Sequence, residues 1–505
     1  MTATATAGVP PKEVESTATD QKESPIPTTE TEELKKELTT SEKLKLARVC
    51  LDDYFKGRNY KGELRAFEPY HLAETIKNIF NIVTVEESKR SLRYAPTEGN
   101  WLFDGEVLVD RVTERILQGE SSKHRKLDTL SSVKSQSWIK GNNFFNLSNP
   151  EEICFKNCVV NLRTRKTRNF SPYPVIIHSI PVVYAPEAKT PQWEAFVSEI
   201  ILKEDIPLLQ EFMGYCLNPS MPLHRLFWFH GKGRNGKGVV VRTIQGILGG
   251  DNCSDIGLSD FKGSRRFALS VLFQKLFNVS SEPDSKYPLS TNVINLISGE
   301  DRISAELKNK NGRLVFTNKA KILVVGNSFP KVNDQTDAFW DRIAILKFPN
   351  RFIEGKTMIP QIEKNWLTKP EDRSGVVNWM LEGLARVLKN NAFTKTKSTE
   401  ETKQQFKELS DSFEAWLNNN TIRGFKTKMS RKTSRSNYVS YCEEGGLIPI
   451  SQRTFIEKIR NLEGITESQL TQNKIKKRWF IGIGIKGDEQ EQDFKQETLG
   501  ENHDA

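Results

Sequence analysis

The sequence predicts an α/β protein: a parallel sheet of short strands, an α+β module before it and a small basic domain after it. Three observations carry this. Between Leu226 and Phe348, short apolar runs alternate with helix-like segments, the order a parallel sheet needs. The first of these runs, Leu226-Phe-Trp-Phe-His230, stops at a glycine-rich loop, and a helical pattern follows from Val239 to Leu248. Apolar residues at helical spacing flank the region, with Trp193, Phe196, Ile200, Leu208, Leu209 and Phe212 upstream and Val376 to Leu388 downstream.

Taken in order, residues 1–42 are rich in Thr, Pro, Glu and Lys, have few large apolar side chains and are expected to be disordered. Residues 43–190 form the mixed module. Leu44 to Tyr54 and His71 to Phe80 read as helical; Trp101 to Val109 and Val175 to Ile180 read as extended. Residues 191–220 make a helical collar, 221–352 the sheet core and 353–395 a helical extension. The Lys/Thr-rich stretch from Phe393 to Thr402 reads as a linker. A last domain spans 402–486, and residues 487–505 form an acidic tail.

Composition narrows the function. Lysine and arginine number 74 against 64 acidic residues, a net charge of +10, which favours an anionic partner, nucleic acid first. Six cysteines are scattered, and only Cys154 and Cys158 lie close together, so a reducing compartment is expected and a structural zinc is not. No apolar run approaches the ~20 residues of a membrane span, and the N-terminus lacks the apolar stretch of a signal peptide. A cytoplasmic protein with no membrane partner is expected.

The loop Gly231-Lys232-Gly233-Arg234-Asn235-Gly236-Lys237-Gly238 carries the most chemistry. Glycines let backbone N–H groups close around phosphate, Lys237 would reach the β/γ-phosphates, and the following helix would point its positive end at them. That is a P-loop for ATP with Mg²⁺. The strict motif ends in Ser or Thr, whose hydroxyl ligates Mg²⁺; Gly238 has none, so water would complete that shell. The alternative is a strand-to-helix turn with no ligand.

Further elements follow the loop. Leu276 to Glu282 is an apolar segment ending in a carboxylate. Glu282 could polarise the attacking water or hold Mg²⁺ directly or through water, with Asp284 a second candidate. A surface acid after a strand is the plain alternative. Lys321 to Asn327 delivers an amide to a strand end, where Asn327 could sense the γ-phosphate; a turn-forming Gly-Asn is its alternative. Arg342 precedes another strand and could reach a neighbouring subunit's ATP, or could pair with Asp337 or Asp341. Asn311-Gly312 reads as a two-residue hairpin turn crowded by Lys308, Lys310 and Arg313, able to grip phosphates of a translocating strand.

With these elements in this order and spacing, the sequence resembles the superfamily 3 helicases, specifically the phage, plasmid and poxvirus primase–helicase family. The resemblance is carried by Gly-Arg-Asn-Gly-Lys237, Ser-Ser-Glu282, Ile297-Ser-Gly-Glu-Asp301, Gly-Asn327 and Trp-Asp-Arg342. Upstream, Asn157 to Leu162, Pro181 to Pro186 and Leu209 to Cys216 look like the module preceding the helicase core. Downstream, Asn437 to Phe480 is similar to the family's terminal winged helix. The resemblance implies an AAA+-like core, a ring that is hexameric, and ATP-driven 3′→5′ movement on single-stranded DNA. Asn295 stands where many relatives carry lysine. No paired-acid strand with a downstream histidine is found, so primase activity is not expected here and a separate primase or polymerase would be a partner.

Away from the ring, three basic runs are candidate DNA contacts: Arg163 to Arg168, Arg423 to Arg435 (including Arg431 and Lys432), and Lys474 to Arg478 (including Lys476 and Lys477). In a winged helix, Gln452 to Arg460, with Arg453, would be the recognition helix and Ile475 to Ile485 the wing. Three functions compete: a replicative helicase of a mobile element; an initiator that binds single-stranded and origin DNA and uses ATP as an assembly switch; and an AAA+ remodeller of proteins, which the basic runs disfavour.

Overall fold

The computed structural model describes residues 40–261, 268–280, 291–299, 301–306, 313–327, 337–444, 449–472 and 475–487. Most of the two predicted tails, together with Glu282, Asp284, Lys308 and Lys310, lies outside these residues. The fold is mixed α/β, with a five-stranded parallel sheet at its centre. Its strands are β1 (Leu226–His230), β2 (Cys253–Ser254), β3 (Phe277–Ser280), β4 (Lys321–Gly326) and β5 (Ile343–Lys347), in the spatial order β2-β3-β4-β1-β5. β1 and β4 are buried on both faces, as their continuous apolar runs require.

Helices cover both faces of the sheet. Helix α1 (Pro191–Ile200) and helix α2 (Ile206–Tyr215) precede it, and α3 (Lys237–Leu248) follows the glycine-rich loop. Helix α4 (Pro370–Asn390) returns across α2. Phe212 stacks on Phe227 at 4.2 Å between ring centroids and meets Phe229 edge-on, fixing α2 to β1.

The predicted linker is not one. Phe393 meets Tyr215 and Phe227 edge-on at 5.2 and 5.0 Å, and Thr396 caps α5 (Lys397–Ser410) while bonding Asp205. Phe406 of α5 then covers Trp228 and Trp340. Threonines that look like linker composition serve here as caps and polar ties. The last domain therefore begins after α5 rather than at residue 402. It holds α6 (Ser412–Asn420), α7 (Arg431–Glu444) and α8 (Gln452–Arg460) around the antiparallel strands β6 (Thr421–Ser430), β7 (Thr466–Gln472) and β8 (Ile475–Ile485), in the order β6-β8-β7. Phe413, Trp416, Tyr438, Phe455 and Phe480 form its own core.

The upstream module departs from expectation in three places. A helix begins at Thr40, inside the predicted tail. Only Asn100–Leu102 is extended in the Trp101 to Val109 segment; a helix runs from Gly105 to Leu117. Val109, Val112 and Ile116 recur at helical spacing, and that period outweighs the β-branched residues. Ser179–Ile180 is the one strand within Val175 to Ile180. No helix among the described residues is long and apolar enough to cross a membrane.

Two buried polar groups stand where parts of the fold meet, Glu211 between α2 and the end of α4 and His178 beside the sheet. Glu211 on α2, fully buried, accepts hydrogen bonds from Arg386 Nε at 3.0 Å, Thr394 N at 2.7 Å and Thr394 Oγ1 at 2.6 Å. Glu211→Ala should destabilise the protein by about 3 kcal/mol in urea unfolding, because it strands three donors at a buried contact.

His178 lies at the junction of module and sheet. Burial first, then Lys319 and Lys321, pushes its pKa down to about 3. The folded state keeps the ring neutral where the unfolded chain, titrating near 6.5, binds a proton. The neutral ring costs nothing above pH 6.5, and stability is lost as pH falls from there towards 3. His178→Gln should flatten that acid-side slope by at most about 1.4 kcal/mol per pH unit, read from urea unfolding across the pH range.

Candidate nucleotide site and basic cleft

The glycine-rich loop leaves the C-terminal end of β1 and enters α3. Gly236, at φ +89°, is the N-cap of α3 and has no side chain to satisfy the helix's free N–H groups. The space a Cβ would need there is taken by Ile200 and Phe196 of α1. The loop is fastened on its other side by Asn235 Nδ2 donating to Phe348 O at 3.3 Å and by Phe352 N donating to Arg234 O at 2.7 Å. Collar and β5 exit thus hold the loop between them.

Lys237 turns its side chain inward and is buried. Its Nζ donates to Gly231 O and, at 3.1 Å, to Asn327 Oδ1. The sheet explains the meeting: Gly326 on β4 pairs with His230 on β1, so Asn327 emerges beside the loop. Burial first, then the charges of Lys237 and Lys347, holds His230 below the usual histidine range.

A cavity of about 760 Å³ opens over this loop, within the size range of small-molecule sites. Gly233 to Gly238 line it on one side with Asn327; Gly231 and Lys232 do not line it. Phe196, Phe352, Met358, Ile359 and Ile362 supply an apolar wall. A glycine-rich loop and a buried ammonium, with an apolar wall beside them, fit a polyphosphate carrying a planar base. The sequence reading missed the apolar wall, since Phe196 reads as collar core and Phe352 to Ile362 has no regular period. Asp255, just after β2, also lines the cavity and takes a hydrogen bond from Gln245 Nε2 at 2.9 Å. A strand of two residues gave no signal for it.

At Gly238 a Cβ would meet only the Arg242 Nη1 end at 3.3 Å, so a hydroxyl is absent without steric cause. Arg242 is held by Glu363, with Nε at 2.6 Å. No group of three metal-ligating residues occurs among the described residues.

Arg342 lies at the far end of the sheet. Its carbonyl accepts from Leu226 N at 2.7 Å, which puts it one strand length, roughly 15 Å, from the loop. Its Nη1 donates to Ser298 Oγ at 3.4 Å. Asp337 and Asp341, the expected salt-bridge partners, instead face Lys407 and Lys403. In the inserted hairpin, Glu306 pairs with Arg313, and the predicted turn at Asn311-Gly312 lies outside the described residues. The Arg313 side chain lies outside the described residues, like Lys308 and Lys310.

The C-terminal domain gathers basic residues distant in sequence. Arg431, Lys432 and Arg435 of α7 meet Lys477 and Arg478 of β8, with Ser430 and Gln452, around a cleft of about 380 Å³. The Arg435 guanidinium sits over the rings of Tyr438 and Phe455 at 5.3 and 5.4 Å, and its Nη1 is buried without an acceptor. Arg431 pairs with Glu467 at 3.2 Å. Lys476 and Arg453 are exposed and stand outside the cleft, Arg453 bonding Glu457 along α8. In the Arg163 to Arg168 run, Arg163 pairs with Glu151 at the surface and Arg168 with Glu152, while Lys166 is exposed.

Comparison with known proteins gives two family matches. Residues 75–202 match the family described as D5 N terminal like, and residues 229–342 match a family of unknown function (DUF5906). No curated protein matches the chain. Among solved structures, the chain is similar to the apo structure of the NrS-1 C terminal region (305–718), at 12% identity and a TM-score of 0.48, over 82% of this chain and 99% of that one. It is likewise similar to the A form apo structure of that region, at 11% identity and a TM-score of 0.46, over 82% and 99%.

Gly236→Val should weaken binding of a fluorescent ATP analogue by at least about tenfold while the thermal melt stays cooperative. A β-branched residue at φ +89° would have to displace Ile200 or reshape the loop.

Proposed function

We propose that this chain is an ATP-driven DNA motor of the superfamily 3 type, acting in replication of a virus, phage or plasmid. The observation that carries the reading is the meeting of Lys237 and Asn327 over a cavity half phosphate-like and half apolar in its demands. The D5 N terminal like match upstream supports the replication context.

In this reading the core is an AAA+-like P-loop NTPase. The N–H groups at the start of α3 hold phosphate, and the apolar wall seats the base. Lys237 exchanges its carbonyl partners for phosphate oxygens, and Asn327, released from Lys237, orients the attacking water. Mg²⁺ supplies charge neutralisation on the phosphates; Asp255 and Glu282 are the carboxylates to hold it, directly or through water. Arg342, too far from its own loop, serves a neighbouring subunit's site in a ring, a hexamer by resemblance. Lys308, Lys310 and Arg313 would face a single strand in the pore. The C-terminal domain acts as a winged helix, with the cleft of Arg431, Lys432, Arg435, Lys477 and Arg478 on DNA phosphates and Arg453 and Lys476 at its margin. A separate primase or polymerase would complete the replication machinery.

Gly238 favours a second reading, an initiator that binds ATP and origin DNA and turns over little. ATP hydrolysis by the purified protein, with and without single-stranded DNA, separates the two. The motor predicts DNA-stimulated hydrolysis that drops on the order of 100-fold or more in Lys237→Ala. ATP and DNA binding without stimulated turnover would establish the initiator.

A further inference from the structure

One aromatic side chain stands outside every core described above. Phe425 is 104% exposed, more than any other large apolar residue among those described. It projects from β6, an edge strand, where the pairing with β8 slips between Arg423 and Lys428. The slip extrudes Gly424 to Thr427 from the sheet, and Thr427 Oγ1 closes the extruded turn by donating to Gly424 O at 2.8 Å. A β-bulge that re-aims a side chain into solvent costs pairing on that strand and burial of the phenyl ring. Among the described residues the domain core of Phe413, Trp416, Tyr438, Phe455 and Phe480 forms without Phe425, so that core does not offset the cost.

The surroundings specify what would cover the ring. From Thr421 to Cys442 the chain contains no acidic residue and carries Arg423, Lys426, Lys428, Arg431, Lys432 and Arg435. Lys428 lies 5.7 Å over the Trp479 ring, between the bulge and the cleft. Five residues separate Phe425 from Ser430 at the cleft's edge, a reach of at most about 18 Å. An acidic occupant that also presents flat apolar faces is a nucleic-acid strand with unpaired bases. Duplex DNA offers the charge but keeps its base faces stacked.

We propose that Phe425 stacks on an unpaired base of a DNA strand whose phosphates lie in the Arg431–Arg478 cleft, so that the C-terminal domain engages a single-strand/duplex junction and not duplex alone. This rests on the DNA-engaging reading above. The cleft supplies salt-dependent affinity common to all DNA, and Phe425 supplies the preference for unpaired bases.

The test is binding of the full chain to forked, single-stranded and blunt duplex DNA of one sequence over a salt series. Phe425→Ala, Phe425→Trp and Arg478→Ala are compared with the wild type. Phe425→Ala should lose about fivefold or more on forked and single-stranded DNA, keep blunt-duplex affinity and keep its salt slope. Phe425→Trp should retain the preference. Arg478→Ala should weaken all three and reduce the salt slope by about one. Photocrosslinking to 5-iodouracil placed at the fork should map to Phe425, a readout that does not depend on a variant folding. If Phe425→Ala binds every DNA like the wild type while Arg478→Ala loses affinity, the cleft stands and the stacking proposal is overturned. A crosslink that maps elsewhere overturns it too. If the wild type binds no DNA, the underlying reading falls and the proposal with it.

Discussion

Two glycines let helices α2 and α4 meet backbone to backbone. At Gly214 on α2 a side chain would run into the backbone of Met380 and Leu384 on α4, and at Gly383 on α4 it would run into the backbone of Gln210 and Glu211. The helix before the sheet and the helix after it therefore cross backbone to backbone, each offering a glycine to the other. Small residues at a crossing let dispersion contacts form over the whole interface, which is where packing energy accumulates. That crossing fixes α2, and α2 fixes β1 through the Phe212 stack. The preceding helix α1 then presents Ile200 and Phe196 to Gly236, a loop residue with no room for a Cβ. The phosphate-sized loop is thus shaped by a helix contact more than a hundred residues downstream.

Two buried lysines stand at opposite ends of β4, Lys321 in the strand and Lys237 at the start of α3. Lys321 opens β4. Its Nζ donates to the carbonyls of Asn218, Ser220 and Lys319 and lies 5.0 Å over the Tyr215 ring. Burial pushes it down to about 7, yet three carbonyl acceptors and an aromatic face leave it no capacity for anything else. Lys237 sits beside the other end of β4, held by Gly231 O and by Asn327, on the wall of a cavity. Its partners are a loop carbonyl and a side-chain amide, both of which a phosphate oxygen can replace without breaking the fold. The same residue type is a cap in one place and a ligand-ready cation in the other, and the cavity makes the difference.

Much of this organisation is legible in the sequence because it rests on periodicity and on glycine. Four of the five parallel strands follow from apolar runs and the loop is announced by its glycines, while α8 and β8 coincide with the Gln452–Arg460 and Ile475–Ile485 segments that the winged-helix resemblance singles out. What escapes is whatever depends on spatial assembly. The apolar wall of the cavity comes from α1 and from an irregular segment after β5, which no local pattern connects. Charge runs do not reveal their partners: Arg163 and Arg168 pair with Glu151 and Glu152, and Arg431 pairs with Glu467 while lining one cleft with Arg478.

The boundary of the C-terminal domain shows the same physics at larger scale. Composition places a linker before residue 402, but Phe393, Thr396 and Phe406 all belong to the sheet side, and removing α5 would uncover Trp228 and Trp340. Asp411 belongs to the other side: its carboxylate caps α6 through the N–H groups of Phe413 and Glu414, and it pairs with Lys458 of α8 at 2.8 Å. Seven residues separate the buried rings of Phe406 and Phe413, which sit in different cores. The division between the sheet and the basic cleft is therefore a single helix junction with no slack chain, so the two parts are coupled by a short elbow whose last upstream residues pack and whose first downstream residue caps. A connection this short transmits a change of helix direction, whereas a linker of the predicted length and composition would have absorbed it.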